Sequence, residues 1–370
     1  MKLDIFLLER NQSLYENSVR YNLTESGVHA YSLKQSLTDD EIKELLELPL
    51  GYGYTNGAPT LRRAIAALYP GLDERNILVT NGSAEANFAV IWSLIEPGDE
   101  AVVMLPNYML VPGLLKSFGA EVKPFFLREE LNWAPDITSL ARLVSSRTKL
   151  IVICNPNNPT GAVLERNMMT AIAELARRAG AYILSDEIYR GSELDGTECP
   201  SFLEIYERAI VCSGLSKALA HPGLRIGWIA GPCDIIENAW QRHDYTTIST
   251  SIPSQYVAER ILRPERRAQI LAYGRSLLTQ NLATFSHWIQ EQHELFHFIP
   301  PKAGGMAFAR YYLNINSSQL VDKLRREKGV FVVAGDWFGM DHYLRFGIGT
   351  EPATLRSGLE LVADTLREIA

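Results

Sequence analysis

Seven short apolar runs, rich in Val and Ile and without clean polar alternation, constrain this chain more than any other feature. They are NILVT (76–80), AVVML (101–105), EVKPFF (121–126), KLIVIC (149–154), AYILSD (181–186), AIVCS (209–213) and RIGWIA (225–230). Such runs read as strands buried on both faces, an environment that a parallel sheet covered by helices provides. Between most of them lie segments with helical spacing, among them SAEANFAVIWSLI before PGDE and NMMTAIAELARRAG ending in glycine. Strand alternating with helix predicts an α/β fold with a mostly parallel, seven-stranded sheet.

After about Arg263 the pattern changes to a long helical stretch, then mixed strands, then a final helical stretch, ATLRSGLELVADTLREI. At 370 residues the chain exceeds what one hydrophobic core usually serves. The expected organisation is an N-terminal arm over residues 1–36 that packs with the small domain, a large domain over 37–265, and a smaller α+β domain over 266–370.

Charge and composition remove several classes of function. A net charge of −7 gives no electrostatic footprint for nucleic acid. No uninterrupted apolar stretch of about 18 residues argues for a membrane span, and the N-terminus has acids inside its short apolar stretch rather than a cleavable leader. The protein is therefore expected in the cytoplasm. Cys154, Cys199, Cys212 and Cys233 stand singly, with no paired Cys or His spacing, so no metal is expected. Neither GxGxxG after a strand nor GxxxxGK[ST] is present, which disfavours binding of NAD or ATP.

Ligands of open α/β sheets sit beyond the carboxyl ends of the strands, so the residues that follow each run belong together. After NILVT, Ser83 and Ala84 lie in a turn that opens a helix and presents free N–H groups to an anion. Tyr108 follows AVVML and either stacks on a flat ring or caps the core. The loop NPNNPTG, with Asn158 in it, holds amide side chains in a rigid turn. Asp186 ends a strand read as buried, where a carboxylate is costly unless a cation neutralises it, an arginine being one candidate. Tyr189 follows three residues later. Lys217, the only lysine between Leu150 and Pro301, ends the next run, with Ser216 before it and Arg225 eight residues on. Burial disfavours the charged form of an amine, which is expected to lower the pKa of Lys217 and make it a nucleophile toward a carbonyl. A lysine, a buried carboxylate, a flat side chain and a phosphate cradle with an arginine together suit pyridoxal 5'-phosphate (PLP).

These residues carry a resemblance to the class I/II aminotransferase family of fold-type I PLP enzymes. The matching segments run along nearly the whole chain: YGYTNGAPTLR, NGSAEAN, EPGDEAVVMLPNY, NPNNPTG, SDEIY, SGLSKALAHPGLRIG, PKAGGM, GVFVVAGDWFG and YLRFGIG. The resemblance implies that Lys217 holds PLP as a Schiff base and later moves the substrate's α-proton. It implies that Asp186 keeps the pyridine nitrogen protonated, that Asn158 and Tyr189 hydrogen-bond the phenolate oxygen, and that Tyr108 stacks on the ring. Ser83 and Ala84 backbone groups, Ser216 and Arg225 would hold the phosphate, joined by Tyr52 from the partner subunit of a homodimer. Arg345, helped by Asn158, would fork onto the α-carboxylate of an amino acid.

The chain also departs from the family's pattern. Gly214 stands where many relatives have Ser or Thr, so one phosphate contact is missing or comes from Ser213. His221 replaces an aliphatic residue and reads as a packing change, and Ala334 replaces a proline. Gly27, Val28 and His29 match the place where relatives bring an N-terminal glycine near the substrate. The string SGVHAY around them is similar to the start of capreomycidine synthase, a PLP enzyme that cyclises a hydroxylated arginine by elimination and addition. No arginine or lysine occurs from His243 to Glu259, so a dicarboxylate preference is not supported by that route. The expected activity is transfer of an amino group from an L-amino acid to a 2-oxo acid, with a PLP-dependent lyase or cyclase of the same fold, similar to capreomycidine synthase and acting on an arginine-type substrate, as the alternative. A cofactor-sensing regulator would carry a fused basic DNA-binding module, and the match begins by about residue 22, so none is expected.

Overall fold

The computed structural model describes residues 2–369. All seven apolar runs form strands of one sheet: β1 (Ile77–Thr80), β2 (Glu100–Leu105), β3 (Glu121–Arg128), β4 (Thr148–Cys154), β5 (Tyr182–Asp186), β6 (Ala209–Gly214) and β7 (Gly227–Ala230). Their order is β1-β7-β6-β5-β4-β2-β3, with a two-residue strand, Ala134–Pro135, added beyond β3. Neighbours are parallel except at β7, which runs antiparallel to both β1 and β6, and at the short Ala134–Pro135 strand, which runs antiparallel to β3.

Burial follows the pattern that the sequence predicts for β6 and β7, and also for β1 at one end of the sheet: all three are buried at every position. The run at 121–126 differs. It lies near the sheet edge, and Glu121, Pro124, Phe126 and Arg128 face solvent while Phe125 and Leu127 face the core. Pro124 has no N–H to give a second neighbour, so an edge position suits it.

A helix opens directly from the turn after β1: α2 (Ser83–Leu94), preceded in the chain by α1 (Leu7–Tyr15). The C-terminal part begins with a 28-residue helix, α3 (Pro264–Glu291), and ends in α4 (Pro352–Ile369). Between them lies an antiparallel sheet of β8 (Phe296–Phe298), β9 (Met306–Tyr311), β10 (Val333–Ala334) and β11 (Tyr343–Gly347), in the order β8-β9-β11-β10. Phe285 and Trp288 of α3 pack against Phe346 of β11 with ring centroids 5.1 and 5.8 Å apart, which seats the long helix on this sheet.

The N-terminal arm joins the two parts. Tyr21–Asn22 pairs in parallel with Val330–Phe331, and Leu23 bonds to Phe331 and Gly347. Farther on, Tyr31 N donates to Ala220 O at 3.0 Å, inside the loop that carries Lys217. The segment between these anchors, residues 24–30, therefore crosses the carboxyl ends of the large sheet.

Candidate active site

The ends of β4, β5 and β6 are in register, with Cys154 opposite Asp186 and Asp186 opposite Cys212. Above them lies a cavity of about 330 Å³. Its walls bring together residues that lie far apart in sequence: Ser83, Ala84 and Tyr108, then Asn158, Asp186 and Tyr189, then Ser216, Lys217, Arg225 and Arg345.

One end is built for an anion. Gly82, at φ +89°, precedes α2, and a Cβ there would sit 2.2 Å from Arg225 Nη2. A Cβ on Gly227 would lie 2.5 Å from Ser83 N. Only glycine permits this approach, which sets Arg225 beside the free N–H groups of the α2 N-terminus. Arg225 is itself left-handed at φ 52°, with Nη1 3.4 Å from Ser216 Oγ. Gly214 has a steric reason, since a Cβ would lie 2.7 Å from Ile226 O. Ser213 does not replace the missing contact: its hydroxyl is buried and donates to Glu187 O at 3.2 Å.

Asp186 receives Ile188 N–H at 3.2 Å and Asn87 Nδ2 at 3.1 Å. Among the described residues no Lys, Arg or His lies within 4.0 Å of it, so an arginine partner is not what stabilises it. Burial pushes its carboxyl up to about 6, against those hydrogen bonds and the field of Lys217. Asn87 Oδ1 is buried without a partner. Asn87 closes the segment NGSAEAN on the first turns of α2, but the sequence reading gave it no role.

Lys217 Nζ lies 2.6 Å from Glu25 Oε1, which also accepts Gly27 N–H at 2.8 Å. The sequence reading expected a lowered lysine pKa. Burial does act downward, yet Glu25 and then Tyr189 outweigh it and hold the amine above its ordinary value. For Glu25 burial acts upward and is outweighed by Lys217, so its carboxyl titrates low. Glu25 was not singled out from sequence, because the arm has no periodicity that marks a site residue.

Tyr189 Oη is 2.8 Å from Ser26 Oγ, and burial pushes the phenol up to about 12. Arg345, 2% exposed on β11, donates Nη1 to Asn158 Oδ1 at 2.8 Å and Nη2 to Thr24 O at 2.6 Å, while its Nε has no partner. Tyr108 Oη donates to Glu9 Oε1 of α1 at 2.5 Å, and the ring meets Phe6 edge-on at 4.9 Å.

Four expected residues stand apart from the walls. Gly27 packs on Lys217, where a Cβ would be 3.1 Å from its Cα. Val28 is buried against Gly274 of α3. His29 points outward, about half exposed, with Nε2 3.7 Å from Glu351. Tyr52, 87% exposed, does not line the cavity of its own chain. His221 is a packing residue: its ring stacks on Tyr31 and bonds to Ser36 Oγ at 2.6 Å and to Leu219 O.

The residues present fit PLP. Asp186 is a carboxylate held in a buried place without a cation, Arg345 and Asn87 keep orphaned polar atoms that a ligand would satisfy, and the Gly82–Gly227 approach leaves an anion cradle open. Among the described residues no group of three or more His, Cys, Asp or Glu could hold a metal, and no helix is long and apolar enough to cross a membrane.

Comparison with known proteins agrees with this geometry. A sequence model of the family described as aminotransferase class I and II matches residues 36–362. Capreomycidine synthase of Streptomyces vinaceus is 29% identical over 356 residues, covering 93% of this chain and 89% of its own. Aspartate/prephenate aminotransferase of Thermus thermophilus is 28% identical over 377 residues, covering 95% and 94%. The crystal structure of a PLP-dependent aminotransferase from Streptococcus suis superposes with a TM-score of 0.94 at 35% identity, over 100% of this chain and 99% of that one. With the family's pattern met from the large domain into the last helix, this chain belongs to the class I and II aminotransferases, and its cofactor is pyridoxal 5'-phosphate.

Proposed function

We propose that the protein moves the amino group of an L-amino acid to a 2-oxo acid. The observation that carries this reading is one cavity shared by the Lys217 amine, the buried Asp186 carboxylate and the partly unpaired Arg345 guanidinium. When bound, PLP supplies an electron-poor ring that stabilises negative charge at the substrate's α-carbon. Lys217 Nζ would hold the cofactor at its carbonyl carbon, and as a free amine it would accept the substrate's α-proton and return it. Asp186 would keep the ring nitrogen protonated, because a buried carboxylate gains from a cation at hydrogen-bond range. Ser83 N–H, Ala84 N–H, Ser216 and Arg225 would hold the phosphate. Asn158 and Tyr189 would hydrogen-bond the phenolate oxygen, and Tyr108, anchored through Glu9, would pack on the ring.

Arg345 binds the substrate's α-carboxylate. It is held by Asn158 and Thr24, so little side-chain entropy is lost on binding. The exposed Tyr52 reaches the phosphate of the partner subunit in a homodimer, alongside Leu50 and Tyr54, which are 84% and 63% exposed.

A second reading, a lyase or cyclase of the same family, is favoured by the similarity to capreomycidine synthase along most of both chains. The same residues serve it, since they act at the α-carbon. Mixing the holoenzyme with an amino acid and no 2-oxo acid separates the two: transfer converts the bound cofactor once and stops, whereas elimination or cyclisation continues to turn over.

A further inference from the structure

Three glutamates face the cavity from the N-terminal arm, and nothing in the transfer reading uses their combined charge. Glu9 and Glu16 lie on α1 and just past its end, at positions i and i+7 with Gln12 between them at i+3, which puts all three on one helical face. All three line the cavity, as does Glu25. Burial raises the pKa of Glu16, and Glu25 and then Glu9 raise it further, so the three carboxylates feel each other. Among the described residues no Lys, Arg or His lies within 4.0 Å of the Glu9 or Glu16 carboxylate, and the one hydrogen bond to Glu9 comes from the neutral hydroxyl of Tyr108.

The cations of the cavity are already committed. Arg225 answers the phosphate, Lys217 holds the cofactor, and Arg345 answers the α-carboxylate. Arg345 is the independent sign that a substrate enters here: it is 2% exposed, its Nε has no partner, and it lies close enough to Glu25 and Glu9 for both to act on its charge. A substrate anchored on Arg345 therefore meets Glu9 and Glu16, for which no cation among the described residues lies within 4.0 Å, while Glu25 is already paired with Lys217. A side-chain carboxylate would be repelled there, and an apolar side chain would leave carboxylates desolvated without a partner.

We infer that the preferred substrate is an L-amino acid whose side chain ends in a cation, an amine or a guanidinium, bound against Glu16 and Glu9. This inference rests on the transfer reading and names its substrate class. Salt should weaken the preference, because a partly exposed charge pair is screened.

The test uses the reconstituted holoenzyme and follows the cofactor absorbance on addition of L-ornithine, L-lysine, L-arginine, L-norleucine, L-alanine, L-glutamate and L-aspartate. The cationic amino acids should react with at least a roughly tenfold higher kcat/KM than norleucine, a ratio that corresponds to about 1.4 kcal/mol. Glu16→Gln and, separately, Glu9→Gln should cut that ratio about tenfold, and raised salt should shrink it in the wild type. Calorimetry on cofactor-loaded Lys217→Ala protein gives a readout free of turnover, with arginine binding more tightly than norleucine. A wild-type preference for neutral or acidic amino acids, or a Glu16→Gln protein that slows all of them alike, would overturn the inference. A holoenzyme that reacts with no amino acid of any charge would overturn the transfer reading beneath it, an outcome distinct from reacting with the wrong class.

Discussion

Glu25 Oε1 sits 2.6 Å from Lys217 Nζ, joining the N-terminal arm to the amine at the carboxyl end of the large sheet across 192 residues of sequence. The pair reverses the effect of burial on the lysine and holds it protonated. The folded pKa of Lys217 lies above its ordinary value of 10.5, so its contribution to stability is present below that ordinary value and is lost as pH rises through the folded value. That of Glu25 lies below its ordinary value, so its contribution is present above about pH 4.5 and is lost as pH falls.

Glu25→Gln should therefore lower the pKa of the protonated Schiff base in the holoenzyme by about one unit, because a carboxylate favours a nearby cation. Absorbance followed against pH measures it. An unchanged midpoint would show that Glu25 moves away from Lys217 when the cofactor binds.

Asp186→Asn should act in opposite directions on stability and on cofactor binding. An acid raised from 3.8 to about 6 on folding keeps its proton longer in the folded state. Its contribution therefore falls as pH rises from about 4 through 6, and above that window it costs roughly 3 kcal/mol. The cofactor-free variant should be more stable than wild type at pH 8, by up to that amount, and no more stable at pH 4, while its affinity for PLP drops. Urea unfolding at the two pH values and PLP titration check both halves. Equal gains at both pH values would contradict the assignment.

Gly214→Ser should destabilise rather than restore a phosphate contact. Its Cβ would press on Ile226 O at 2.7 Å, and overpacking of this kind costs about 1–3 kcal/mol. Thermal unfolding and PLP affinity report the outcome, and a variant that is as stable as wild type and binds PLP more tightly would refute it.

Tyr52→Phe should leave the protein dimeric in light scattering and weaken PLP binding by roughly ten- to a hundredfold, the loss of one hydrogen bond to a charged group. A monomeric wild-type protein with full PLP affinity would contradict the shared site.

The sheet, the long helix and most of the cavity were legible because each rests on a local pattern. A run of Val and Ile reads as a buried strand wherever it pairs; Asp186 ends such a run, and Lys217 and Asn158 stand a few residues beyond two others. The edge position of β3 was less legible, since its Pro124 was the only local sign. Glu25, Ser26 and the acidic face of α1 could not be found this way, because the arm reaches the site through tertiary contacts at Phe331, Gly347 and Ala220. The sign of the Lys217 shift failed for the same reason: burial was foreseen, and the partner that outweighs it was not. Val28 and His29 follow Gly27 toward the site in sequence, yet Val28 is buried against Gly274 of α3 and His29 is about half exposed beside Glu351, so neither lines the cavity.

The most direct measurement of the central claim is reduction of the purified holoenzyme with borohydride, followed by peptide mass mapping. The account requires the cofactor to be fixed on the peptide that carries Lys217, with no label and no amino-group transfer in Lys217→Ala. A label on another lysine, or a Lys217→Ala protein that keeps full turnover, would contradict it.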